Sequence, residues 1–204
     1  MGRTRKSAQV RRQEIVRAAL RLAAELGPDR VTTGHLAEAV GLTQPAIFRH
    51  FPTKADIWAA VGDEIAAHMK TGQQEEQPGP PGVRLRALIS RQLGFIARTP
   101  AVTAILFSRE LHAENEVLRA HFAAVMAERR ARFARLLGRQ MEAGEIRPAM
   151  GAEDAAAVLL AMIQGLAMRW SLERQGFDLK AEGERLIFAL LDGWEAAARG
   201  GAAV

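Results

Sequence analysis

Apolar residues recur at helical spacing along most of the chain, and glycine, proline or a capping side chain marks each break. Ile15, Ala19, Leu22 and Leu26 form one face of a helix from Gln9, and Gly27-Pro28 stops it. Val31-Thr32-Thr33 then offers an N-cap hydroxyl to a short helix over 34–40. Gly41 follows where a tight turn wants a left-handed residue. Thr43 caps a second short helix over 44–50, with Pro45 tolerated in its first turn and Pro52 closing it. Thr53-Lys54-Ala55-Asp56 has the form of a capping box and opens a long helix to Met69. Residues 71–82, rich in Gly, Pro and Gln, predict a linker, and residues 1–8 a basic, aperiodic arm. Further helices are predicted over 83–97, 101–111, 114–143, 152–174 and 179–199. The pattern predicts an all-α fold of about nine helices with no strand.

The two short helices around Gly41 have the layout of a helix-turn-helix. Leu36, Ala37 and Val40 hold the first in the core, and Ile47, Phe48 and Phe51 hold the second. In that geometry the second helix enters the major groove, which sets Thr43, Gln44, Pro45 and Ala46 against base edges. Gln44 can pair bidentately with adenine, and the Ala46 methyl can pack on a thymine methyl. Arg49 and His50 can reach bases or backbone, though His50 serves equally well as a packing residue. Lys54 brings an ammonium to a phosphate, and Thr32, Thr33 and His35 can do the same on the other flank. Charge sharpens this picture. Residues 1–56 hold ten Lys/Arg against five acids, whereas the rest of the chain holds eighteen of each, so the whole excess of +5 lies at one end.

The stretch VTTGHLAEAVGLTQPAIFRHFPTKADIW, Val31–Trp58, resembles the signature segment of the TetR family of bacterial repressors. The resemblance covers residues 9–58 and includes the preceding helix EIVRAALRLAAELG. It implies that Thr33, Gln44, Arg49, His50 and Lys54 stand where the family contacts DNA. Phe48 departs from the pattern: the family has Tyr there, whose phenol contacts phosphate, so that contact is not expected here. Gly34 is also unusual so early in a helix.

The family layout implies a three-helix DNA-binding domain over 1–58 and a ligand-binding and dimerisation domain over 59–204. The helices over 152–174 and 179–199 have broad apolar faces that either fill the subunit core or pair with a second copy. The interface reading takes Val158, Leu159, Met162 and Leu166 from the first, and Leu186, Ile187, Leu190 and Trp194 from the second. A mostly apolar effector cavity is expected among Phe95, Phe107, His121, Phe122, Met126, Met162, Gln164 and Trp170. Met and aromatic residues at helical spacing serve as core just as well. Arg91, Arg109 and His112 are further polar candidates there, and they favour an uncharged or anionic ligand.

These features predict a dimeric repressor that binds a palindromic operator in double-stranded DNA and is released by a largely apolar small molecule. The alternative is a DNA-bound regulatory or architectural factor with no such effector. An enzyme is disfavoured: there is no H-E-x-x-H, phosphate loop, serine elbow or cysteine, and no metal or cofactor is expected. The absence of Cys excludes disulfides and fits a reducing compartment, so a cytoplasmic location is expected. No uninterrupted apolar run reaches the roughly 20 residues of a membrane span.

Overall fold

The computed structural model describes residues 7–74 and 79–200, and among them there are ten α-helices and no strand. The predicted arm over 1–8 and linker over 71–82 therefore lie partly outside the described residues. Two compact units form: Met1–His68 with Thr99–Ala123, and Met69–Arg98 with Ala124–Val204. The segment over 1–58 falls inside the first unit, which also takes in chain from beyond it.

In the first unit, α1 (Ala8–Leu26) is capped by Ser7, whose hydroxyl accepts from the Val10 N–H at 3.3 Å. It ends at Gly27, whose φ of 83° suits glycine. A single 3₁₀ turn, Pro28–Arg30, leads to α2 (Thr33–Val40) and α3 (Gln44–His50). Gly41 between them sits at φ 64°, ψ 41°, the left-handed conformation that the turn requires. Ile15, Leu36, Ile47 and Phe51 are buried where α1, α2 and α3 pack together. The Thr53–Asp56 capping box is present: Thr53 N donates to Asp56 Oδ2 at 2.9 Å, and Asp56 N to Thr53 Oγ1 at 3.1 Å. It opens α4 (Lys54–Gln74), which runs five residues past the predicted end at Met69. Gly72, Gln73 and Gln74 are tolerated within a helix, so none of them ends it.

The helix predicted over 101–111 is broken into α6 (Ala101–Leu106) and α7 (Arg109–Glu114). Ser108 explains the break, because its hydroxyl accepts from Leu111 N at 3.0 Å and donates to Asp29 at 2.5 Å. Asn115 then starts α8 (Glu116–Glu142), accepting from Leu118 N and donating to the Ala55 carbonyl at 3.0 Å. Both α4 and α8 continue along the chain from the first unit into the second.

The second unit is built from α5 (Pro81–Arg98), the rest of α8, α9 (Ala152–Leu172) and α10 (Leu179–Gly200). Its core gathers Leu85, Ile89, Leu93, Phe133, Leu159, Ile163, Ile187 and Leu191. Gly183 permits the close approach of α5 and α10: a Cβ there would stand 2.7 Å from Leu93 Cδ1. Arg86 closes the same contact, donating to Asp192 at 2.7 Å and Glu195 at 2.8 Å.

Four of the predicted interface residues are core instead. Leu159, Leu166, Ile187 and Trp194 lie in the second unit's own cluster, which closes them to a partner. Val158 is exposed and Met162, Leu186 and Leu190 are half-buried, so these four remain on accessible surface. The fully exposed apolar positions share only Val158 with that prediction and are mostly small: Val158, Ala161, Gly165 and Leu172 on α9, and Ala189, Gly193, Ala196 and Ala197 on α10. Helical spacing puts large residues inward on one side, and the interleaved small ones are left outside. This double-sided apolarity gives α9 a mean hydropathy of 1.5 over an 18-residue stretch. By length and composition alone it passes as a membrane span, a test that the expectation above did not anticipate, and core helices pass it too.

Candidate nucleic-acid interface

The outward side of α3 carries Thr43, Gln44, Pro45, Phe48 and Arg49, all exposed, with His50 half-buried at its end. Two expectations are corrected here. Ala46 is buried at 6% exposure, beside Ile47 at 0%, so its methyl faces the core and cannot reach a base. Phe48, expected in the core, is 42% exposed. The 100° step of the helix sets Ala46 and Ile47 on its inner side and leaves Phe48 with Gln44 and Pro45 on the outer one, whereas Phe51 turns inward from extended backbone just past the helix end.

Gln44 owes its setting to a neighbour in α2. A Cβ at Gly34 would lie 3.0 Å from Gln44 Nε2, so the glycine leaves room for the amide. Thr32 and His35 form a reciprocal cap at the start of α2: His35 N donates to Thr32 Oγ1 at 3.1 Å, and Thr32 N to His35 Nδ1 at 3.4 Å. The ring nitrogen is thus an acceptor, which leaves Nε2 as the N–H directed elsewhere. Both residues are exposed, Thr33 is half-buried, and Lys54 is half-buried on the first turn of α4.

Arg12 is a member of this surface that the sequence reading did not single out. Its guanidinium lies 4.0 Å from the Phe51 ring centroid and donates to the His50 carbonyl, so it caps the C-terminus of α3. The bond joins residues 38 apart in the chain, and no local spacing signals it.

The residues expected to line an effector cavity are divided between the units. Phe107, His121 and Phe122 belong to the first. There His121 pairs with Asp63 at 3.4 Å, and the imidazoles of His112 and His121 meet the Phe122 ring edge-on at 5.9 and 6.4 Å. Phe95, Met126, Met162, Gln164 and Trp170 belong to the second. Gln164 Nε2 lies 3.6 Å from Met126 Sδ, whereas Trp170 is core and donates its indole N–H to the Phe177 carbonyl at 3.0 Å. In the same unit, Arg129 is only 4% exposed. Burial, with Arg132 and Arg91 nearby and Glu128 opposing, pushes its guanidinium down to about 10, so it stays charged at neutral pH.

Comparison with known proteins bears on the surface just described. Residues 15–61 match the family description "Bacterial regulatory proteins, tetR family", and residues 81–182 match "Tetracyclin repressor-like, C-terminal domain". The chain is 27% identical over 197 residues to the HTH-type transcriptional regulator AcrR of Shigella flexneri, covering 93% of this chain and 92% of that protein. It is also 27% identical over 157 residues to the nucleoid occlusion factor SlmA of a Marinomonas species, covering 76% and 80%. Among solved structures, the transcriptional regulator FadR of Bacillus subtilis, in complex with stearoyl-CoA, superposes with a TM-score of 0.74. That match has 19% identity and covers 89% of this chain and 98% of that one. The chain therefore belongs to the TetR family of transcriptional regulators, DNA-binding proteins rather than enzymes.

Proposed function

We propose that this protein is a cytoplasmic repressor that binds a palindromic operator as a homodimer and is released by a small-molecule effector. The observation that carries the DNA-binding half is the outward face of α3, where Thr43, Gln44, Pro45, Phe48 and Arg49 stand exposed beside Lys54. Arg49 and Lys54 supply backbone charge, and Gln44 supplies a bidentate edge for adenine. Two recognition helices are needed to read two half-sites, and the bare face of small residues on α9 and α10 supports a second copy as their source.

Helix α4 supplies the route for release. It begins at Lys54, directly after the recognition helix, and its far end belongs to the second compact unit. A ligand that favours the arrangement unfit for DNA would shift that helix and misplace α3. By linkage, operator DNA would weaken effector binding by the same factor. The effector is read as largely apolar with an anionic end. The buried guanidinium of Arg129, with Arg91 and Arg132 close by, supports the anionic end. The acyl-CoA ligand of the Bacillus subtilis FadR structure has this same chemistry.

A second reading has its own support: relatives of similar identity are nucleoid occlusion factors, so a DNA-bound factor without a metabolite effector is the rival. One series of measurements tests both. The full chain is used to select sites from randomised DNA, and the affinity for the selected site is followed against salt. A palindromic site is expected, with Lys54→Ala flattening the salt slope by about one phosphate contact. Acyl-CoAs and other apolar anions are then screened by thermal shift, and each binder is assayed for operator release. Binders that leave operator affinity unchanged would favour the rival.

A further inference from the structure

We propose that Phe48, flanked by Pro45, reads the 5-methyl group of a pyrimidine in the major groove: thymine in ordinary DNA, 5-methylcytosine where DNA is methylated. The inference rests on the operator-binding reading above and adds to it what one side chain recognises.

All eleven aromatic side chains lie among the described residues, and Phe48 is the one that is exposed, at 42%. It sits four residues after Gln44 and three after Pro45, which places all three on one face of α3. Ala46 and Ile47 lie on the opposite face, in the core. An exposed phenylalanine has no hydrogen bond to offer a phosphate or a base edge. It offers an apolar edge, and the apolar group that a base pair presents in the major groove is the thymine methyl. The same methyl at the same ring position distinguishes 5-methylcytosine from cytosine. The role that the sequence pattern assigned to the Ala46 methyl thus passes to Phe48, because Ala46 faces inward.

The reading is tested on the full chain with the site selected from randomised DNA. Each thymine of the half-site is replaced in turn by deoxyuridine, which removes the methyl and leaves the Watson–Crick pairing intact. One position is expected to cost about fourfold in affinity, the equivalent of one buried methyl-sized group, and about tenfold or more when changed in both half-sites. At that position cytosine should bind more weakly than thymine, and 5-methylcytosine should recover about fourfold over cytosine. Phe48→Ala should bind thymine and deoxyuridine sites alike, and Phe48→Leu should retain part of the discrimination. Wild-type protein indifferent to deoxyuridine at every thymine overturns the inference without recourse to any variant. Phe48→Ala that still discriminates as wild type does overturns it as well, because another group then reads the methyl. A selection that returns no preferred sequence is a separate result: it removes the operator reading, and this inference with it.

Discussion

Gly34 and Gln44 form a pair whose meaning lies in one distance. A β-carbon at position 34 would stand 3.0 Å from the Gln44 amide nitrogen and 3.5 Å from Thr32 Oγ1. The Gln44 amide is the far end of a flexible side chain and can swing away, so Gly34→Ala should fold, with helix propensity adding up to about 1 kcal/mol of stability. The displaced amide should lose its adenine, weakening discrimination at one base pair per half-site by about 1–3 kcal/mol. Thermal melts together with site selection on the variant check this. An unchanged base preference would show that Gly34 does not position Gln44. In sequence, Gly34 stands out only as a poor helix former near a helix start. Its reason lies in a neighbouring helix.

At the scale of the element, α3 is too short to hold itself. Seven residues give few internal hydrogen bonds, and isolated helices of that length are unstable in water. Its start uses Pro45, and its end is capped by Arg12 reaching from α1 to the His50 carbonyl and stacking over Phe51. Arg12→Ala should lower stability by about 0.5–1 kcal/mol, the scale of an exposed cation–π contact, and weaken DNA binding by loosening the last turn of α3. Arg12→Lys should rescue little, since an ammonium lacks the planar fork. Denaturant melts and salt-dependent binding separate the outcomes: an unchanged melt with a flatter salt slope would make Arg12 a phosphate contact instead. The break between α6 and α7 has a similar origin. Ala101–Leu111 carries helical periodicity throughout, but the Ser108 hydroxyl caps a new helix and bonds Asp29 of the turn after α1.

At the scale of the whole molecule, assembly is the question that the bare face of α9 and α10 raises. Leu172 is 75% exposed and Val158 36%, while Ala161, Gly165, Ala189 and Gly193 let another helix come close. Ala161→Glu or Ala189→Glu would place a charge in that seam without disturbing the subunit core, at a cost of several kcal/mol to association. Each should give a folded monomer with operator binding lost, as judged by sedimentation and circular dichroism. Leu159→Glu and Ile187→Glu, at core positions, should unfold the second unit instead. A variant that stays dimeric with Glu at both 161 and 189 would move the interface elsewhere.

The all-helical class, most helix limits and the position of the DNA-reading turn were legible in the sequence, because capping residues, Gly41, Pro45 and the 3.6-residue apolar repeat act within a few residues of chain. The break that makes ten helices of the expected nine was not. Thr53 and Asp56, for instance, announce their capping box three residues apart and form it. Periodicity says that a residue faces an apolar environment or avoids one; it does not say which neighbour supplies that environment. Ala46 and Phe48 exchanged their expected places for this reason, and Leu159, Leu166, Ile187 and Trp194 went to the core of their own subunit. Arg12 on His50 and Gly34 beneath Gln44 involve partners on other helices. Only the packing of one helix on another, which sets the rotation of each about its axis, decides such contacts.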